Sequence, residues 1–160
     1  MLKDQRDLLR EFNAQSVRYL VVGGYAFSHY AEPRATKDLD VFIGSSPENA
    51  ALVFAALVRF GAPLKGVTQK DFADGFSFYQ IGVPPSRIDI MQTIEAVDFE
   101  SAWQAAESGI TGDDIPVRYI SFDDLVRNKL AVGRLRDLAD VEELRQARAA
   151  TSKPSKRRKP

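Results

Sequence analysis

Apolar and polar positions along this chain follow two periods, and together they predict an α/β (α+β) domain. Leu2, Leu8, Leu9 and Phe12 recur at helical spacing among charged residues, which predicts an amphipathic helix over 2–14 that covers a sheet. A β-type run at 17–22 ends in Gly23-Gly24, a short helical run occupies 25–31, and Glu32-Pro33 closes it because proline disfavours helical geometry in the residue before it. A second β-type segment carries Asp38-Leu39-Asp40. Ser45-Ser46-Pro47-Glu48 then has the hydroxyl cap, early proline and early acid of a helix start, so a core helix is predicted over 48–60, ending at Gly61-Ala62-Pro63.

Beyond it the pattern predicts a polar loop at 65–74, a strand at 76–81, a turn at 82–86 around Pro84-Pro85, and a strand at 87–91. A helix over 97–108 would hold Trp103 as a core residue, and a strand follows at 115–120. Ser121 is placed as the N-cap of a further helix, with Asp124 at the capping-box position. Gly133 breaks that helix before a last one that reaches about residue 150. The sum is a small mixed β-sheet flanked by helices, in one domain over 1–150.

Composition narrows the chemistry. With 160 residues, 44% of them hydrophobic, the chain can bury a core of its own. The absence of cysteine excludes disulfides, thiolate nucleophiles and cysteine zinc sites, and a single histidine excludes a histidine-rich metal centre. Any catalytic metal must therefore be held by oxygen. Net charge is zero, but five of the 22 basic residues lie in the last ten, TSKPSKRRKP, without an acid. The body keeps 17 basic against 22 acidic residues, and the tail at 151–160 is expected to be a disordered basic end, with RNA steering as the other reading. No apolar run approaches the roughly 18 residues a membrane helix needs, and MLKDQRDLLREF has no signal-peptide core, so a cytoplasmic location is expected.

Candidate chemistry concentrates at residues 19–44. In a strand, residues i and i+2 face the same way about 6.6 Å apart, so Asp38 and Asp40 would project together. Paired carboxylates suit a hard divalent cation such as Mg²⁺. Gly23 and Gly24 permit a sharp strand-to-helix turn and leave helix N-terminal N–H groups for a phosphate. Arg34, Thr36 and Lys37 precede the aspartates. Arg34 could clamp a triphosphate or neutralise the two acids, and Lys37 reads as solvated. Asp89, between Ile88 and Ile90, needs a partner if buried; it is either a third site carboxylate or an edge-strand acid paired with Arg87. His29 could act on a phosphate or serve as a partly buried hydrogen-bonding side chain.

Gly23-Gly24 followed by Arg34, Thr36 and Asp38-Leu39-Asp40 resembles the first motif of the DNA polymerase beta-like nucleotidyltransferase superfamily. The form GGYA…R-x-T-x-D-L-D looks most like two branches, the minimal AbiEii-type nucleotidyltransferases and the antibiotic-modifying adenylyltransferases. The stretch Ser121 to Val141 also resembles the AbiEii-like families, with Lys129, Arg134, Asp137 and Asp140 in corresponding places.

The resemblance implies transfer of a nucleoside monophosphate from an NTP to an acceptor hydroxyl. It implies Asp38, Asp40 and Asp89 as catalytic metal ligands for Mg²⁺ or Mn²⁺, with Asp89 also assisting deprotonation of the acceptor. It implies nucleotide contacts at Gly23, Gly24, Tyr25, Arg34, Thr36 and Lys129. The implied acceptor is tRNA or a cognate partner protein, as in toxin-antitoxin relatives. A small-molecule adenylyltransferase and a catalytically silent nucleotide- or partner-binding module are the alternatives. Two departures stand against the pattern. Tyr25 follows Gly-Gly where many relatives have Gly-Ser, and the chain lacks the extra helical domain of the larger antibiotic-modifying enzymes. Arg134, Arg136, Asp137 and Asp140 also fit a ladder of ion pairs on a solvated helix, the reading preferred for Arg136 and Asp140.

Overall fold

The computed structural model describes residues 1–83, 86–111 and 113–152. The turn expected around Pro84-Pro85 and the tail beyond Ser152 lie outside them. The element order is α1 (Lys3–Ala14), β1 (Tyr19–Val22), α2 (Gly23–Tyr30), β2 (Leu39–Ile43), α3 (Pro47–Phe60), a 3₁₀ turn (Gln69–Phe72), β3 (Phe78–Val83), β4 (Ser86–Met91), α4 (Phe99–Ala105), β5 (Glu107–Ile110), β6 (Pro116–Tyr119), α5 (Phe122–Val132) and α6 (Leu135–Thr151). The strands form one mixed sheet in the order β3-β4-β2-β1-β6-β5. Pairing alternates: β3/β4, β2/β1 and β6/β5 are antiparallel, while β4/β2 and β1/β6 are parallel.

Local signals account for both ends of α3 and α5. Ser46 accepts a hydrogen bond from the Asn49 N–H at 3.2 Å, Pro47 occupies the first turn of α3, and Gly61 closes the helix in the left-handed conformation. The Ser121 hydroxyl accepts from the Asp124 N–H at 3.1 Å at the head of α5, and left-handed Gly133 separates α5 from α6. The apolar stripe of α1, Leu8, Leu9 and Phe12, is fully buried, and α1 packs against α3. Helices α5 and α6 pack together and against α2. Among the described residues no helix is long and apolar enough to cross a membrane.

Two expectations are corrected: Gly82 and Val83, expected in a turn, extend β3, and the fourth helix is shorter than expected. The helix expected to run to Ser108 stops at Ala105, and Glu107–Ile110 forms β5 along β6. Gly109 explains the change. A side chain there would come within 2.7 Å of the Tyr119 ring, so glycine lets β5 lie close beside β6, and sheet pairing overrides the helix propensity of the preceding Trp-Gln-Ala-Ala-Glu.

The topology fixes where chemistry can occur. Strand β2 is interior, with Asp40 in register with Asp89 of β4 on one side and Val22 of β1 on the other. Val22 is the last residue of β1, so the chain turns into α2 at Gly23 directly beside Asp40. A Cβ on Gly23 would lie 2.1 Å from Asp40 Oδ2, and the residue has φ +61°. Gly23→Ala is therefore expected to destabilise the protein by at least about 1–2 kcal/mol, the cost of a left-handed non-glycine residue, and to push the Asp40 carboxyl aside. Urea unfolding of the variant checks the first effect.

Candidate active site

A cleft of about 460 Å³ opens where β2, β4, the start of α2 and the α5–α6 junction meet. Its carboxylates are Asp38, Asp40, Asp89, Asp137 and Asp140, and its cations are Arg34, Arg87, Lys129, Arg134 and Arg136, with Gly23, Gly24 and Thr36 completing the wall. Asp40 and Asp89 are paired residues on adjacent parallel strands, so their side chains leave the same sheet face about 4.8 Å apart at the backbone. Asp38, just ahead of β2, is tied to the same place by Arg87. The Arg87 N–H donates to Asp38 Oδ1 at 3.1 Å, and its Nη2 reaches Asp38 Oδ2 at 3.3 Å and Asp89 Oδ2 at 3.4 Å. Asp89 also accepts from Gln80 Nε2 at 2.9 Å. Strand β4 lies between β2 and β3, which removes the edge-strand reading of Asp89, although its pairing with Arg87 is present.

Solved structures share this architecture at low sequence identity. A solution structure of the antibiotic-resistance factor ANT(2'')-Ia aligns over 93% of this chain and 83% of its own, with a TM-score of 0.57 and 14% identity. The lincosamide antibiotic adenylyltransferase LnuA, solved with lincomycin bound, aligns over 92% of this chain and 98% of its own, with a TM-score of 0.55 and 13% identity. The fold is that of the nucleotidyltransferases. TM1012 from Thermotoga maritima, a proposed nucleotidyltransferase, aligns over 91% of this chain and 96% of its own at a TM-score of 0.54 and 16% identity. No family model and no curated protein sequence matches the chain.

Within this nucleotidyltransferase fold, Asp40 is the electrostatically unusual group. Burial, then the charges of Asp89 and Asp38, push its carboxyl up to about 6, against the opposing pull of Arg87 and of a hydrogen bond from the Gly24 N–H. The folded protein thus holds a proton on Asp40 that the unfolded chain, with its ordinary value near 3.8, has released. Stability from this group is fully present below about pH 4 and is lost as pH rises through about 6, an effect on the order of 2–3 kcal/mol without metal. Metal-free protein is expected to become more stable to urea from pH 7 down to about pH 4.5, with Mg²⁺ flattening that slope. Asp140 acts the other way at lower pH. Burial opposes its ionisation, but hydrogen bonds from Arg34 and Lys129 outweigh it and hold the carboxyl below the ordinary range.

Could these residues hold a divalent cation? Among the described residues no three Asp, Glu or His side chains are arranged as they stand to bind one. The guanidinium of Arg87 stands between Asp38 and Asp89, and its Nε is buried without a partner. The donor set nevertheless fits. Two of the three carboxylates share the Arg87 guanidinium, and the third, Asp40, has no cation in contact among the described residues, so burial and then the charges of Asp89 and Asp38 oppose its ionisation. The cleft also carries as many carboxylates as cations, so it has no excess positive charge to draw in a triphosphate unless a metal accompanies it.

The other expected contacts are rearranged. Arg34 reaches neither Asp38 nor Asp40. It grips Asp140 with both terminal nitrogens and lies over the Phe27 ring at 4.1 Å. Lys129 is buried, with Nζ 2.6 Å from Asp140 Oδ2 and 3.6 Å from Asp137 Oδ1. Asp140 is 1% exposed, so the solvated-ladder reading of this residue is wrong; α6 turns Asp137, Asp140, Val141 and Leu144 inward as one stripe. Arg136 is exposed at the rim of the cleft, while exposed Arg134 donates to Asp137 Oδ2 at 2.7 Å. Thr36 packs against Gly24, where a Cβ would fall 2.6 Å from its Oγ1. Tyr25, expected beside the phosphates, does not line the cleft, and its hydroxyl donates to Gln5 Oε1 at 3.0 Å. His29 stacks on Tyr119 away from the cleft, the structural one of its two readings.

Two residues escaped the sequence reading. Arg87 was seen only as a possible partner of Asp89. Gln5, 1% exposed, donates to the carbonyls of Lys37 at 2.6 Å and Arg87 at 3.3 Å, so α1 ties together the backbone just ahead of Asp38 and Asp89. Its signal was available, because Gln5 occupies the i position of the i, i+3, i+4, i+7 stripe completed by Leu8, Leu9 and Phe12.

Proposed function

We propose that the cleft transfers a nucleoside monophosphate from an NTP to an acceptor hydroxyl in a Mg²⁺- or Mn²⁺-dependent reaction. The observation that carries this reading is the in-register pair Asp40–Asp89, joined by Asp38, beside a helix that starts in Gly23-Gly24. Asp38, Asp40 and Asp89 would hold the metal, which when bound neutralises phosphate charge and lowers the barrier to displacement at phosphorus. Asp89 lies nearest the open β3 side and takes the proton of the acceptor hydroxyl. The acceptor oxygen bonds to the α-phosphorus as the bond to pyrophosphate breaks. Arg134 and Arg136 at the rim, and the partly exposed guanidinium of Arg87, are within the cleft for phosphate oxygens, whereas Arg34 and Lys129 act from behind through Asp140. Positioning and charge neutralisation suffice for such a reaction, which is consistent with a chain that has no thiol nucleophile.

This reading puts the acceptor hydroxyl on tRNA or a partner protein, as the resemblance of the first motif implies. A second reading, a small-molecule acceptor, gains from one comparison: the chain spans 98% of LnuA, so a lincosamide adenylyltransferase needs no larger body than this one. A single experiment separates the readings. Purified protein is incubated with Mg²⁺ and each α-labelled NTP in turn, with total tRNA, lysate protein, or a panel of aminoglycosides and lincosamides. Label on one acceptor class supports transfer and names the class. Folded protein that binds Mg²⁺-NTP yet releases no pyrophosphate with any acceptor favours the silent binding module.

A further inference from the structure

We propose that Arg87 is the resident counter-ion of the carboxylate site, competing with a divalent cation for Asp38 and Asp89, so that the site takes metal readily only together with a nucleotide. This inference rests on the metal-dependent reading above.

The contacts of Arg87 are those of an exchangeable occupant. One nitrogen, Nη2, serves carboxylates from two strands at 3.3 and 3.4 Å, both beyond the usual N–H···O range, and its buried Nε has no partner. Arg34 in the same cleft provides the contrast. It meets Asp140 as a fork, with one nitrogen on each oxygen and Nη2–Oδ2 at 2.8 Å, which is the committed geometry of a structural guanidinium–carboxylate pair. The Arg87 side chain is also 31% exposed while that of Asp89 is 10% exposed, so the cation can swing into the cleft while the carboxylate stays in place. Its backbone anchor, the N–H to Asp38 Oδ1, does not depend on where the guanidinium sits.

Two consequences follow from charge alone. A divalent cation entering without nucleotide must displace a unit charge already neutralising Asp38 and Asp89, which weakens its binding. When a triphosphate enters with the metal, the displaced guanidinium finds phosphate oxygens within the same cleft, and the penalty disappears. Metal and nucleotide binding are thereby coupled, and by linkage each strengthens the other to the same degree.

The test is calorimetric titration of MnCl₂ into wild type, Arg87→Gln and Arg87→Lys at pH 7, first without nucleotide and then with a saturating non-hydrolysable NTP. Thermal melts establish that each protein is folded. Arg87→Gln is expected to bind Mn²⁺ alone about tenfold more tightly than wild type or more, as removal of a neighbouring unit charge requires. Its gain in Mn²⁺ affinity from nucleotide should shrink by a similar factor, while Arg87→Lys, which keeps the charge, should stay near wild type. Equal or weaker Mn²⁺ binding by folded Arg87→Gln overturns the inference and leaves the metal-dependent reading standing. Folded wild type and Arg87→Gln that both fail to bind millimolar Mn²⁺, with or without nucleotide, overturn both.

Discussion

Asp40→Asn is expected to abolish nucleotidyl transfer and, at the same time, to make the protein more stable at pH 7. The first effect follows from losing one of three converging carboxylates at the site of charge development. A drop of at least about a hundredfold in turnover is the scale on which loss of one preorganised electrostatic contact acts. The second follows from the raised affinity of Asp40 for a proton, since at pH 7 the folded state must ionise a carboxyl that is buried and then crowded by Asp89 and Asp38. A neutral amide removes that repulsion, and its oxygen can still accept from the Gly24 N–H, so a gain of about 2 kcal/mol is expected in metal-free protein. Urea unfolding beside the labelled-NTP assay reads both. An inactive variant that is also more stable rules out a folding defect as the reason for inactivity. This opposition is the usual mark of a group kept for function at the expense of stability.

Asp140→Asn is expected to cost about 3–5 kcal/mol, the largest stability effect in the molecule outside the apolar core. Asp140 holds Arg34 as a fork and Lys129 at 2.6 Å, and Lys129 itself is 6% exposed. Removing the carboxylate leaves Lys129 with Asp137 at 3.6 Å as its remaining acid and leaves Arg34 facing an amide. Since a domain of this size is held by only about 5–15 kcal/mol, the variant should unfold at clearly lower urea. Adding Lys129→Met should recover part of the loss, because it removes the uncompensated cation rather than another favourable contact. Additive losses in the double variant would show that the pair is not energetically coupled.

The same two residues show where the sequence could and could not be read. Asp40 and Asp89 were legible because each is an acid among apolar residues of a strand, and the fold sets them in register on adjacent strands. Asp38, read as a strand residue facing the same way as Asp40, lies just ahead of β2 and joins them through Arg87. The strand-to-helix turn at Gly23-Gly24 was legible for a similar reason, although its Gly24 N–H is spent on Asp40. The acids of α6 were not. Asp137 and Asp140 lie at the same i, i+3, i+4, i+7 spacing as Val141 and Leu144, but their flanking arginines made them look like one side of a solvated ladder. What turns them inward is Lys129 on α5 and Arg34 before β2, partners that only the tertiary fold brings near. Gln5 is the same case on α1, a polar residue in a buried stripe whose acceptors lie 32 and 82 residues away. The β5 strand was missed because its pairing with β6 is not a property of its own residues, apart from the glycine that permits it.

The proposed reaction requires that Asp38, Asp40 and Asp89 form one metal site serving a nucleotide in this cleft. Crystals grown with Mn²⁺ and each non-hydrolysable NTP analogue test it most directly through the anomalous signal of manganese. An anomalous peak is expected within coordination distance of all three carboxylates, with the triphosphate running from it toward Arg134 and Arg136 and the Arg87 guanidinium turned onto phosphate. Nucleotide bound elsewhere, or a cleft holding nucleotide while Arg87 still bridges Asp38 and Asp89 with no manganese beside them, would contradict it.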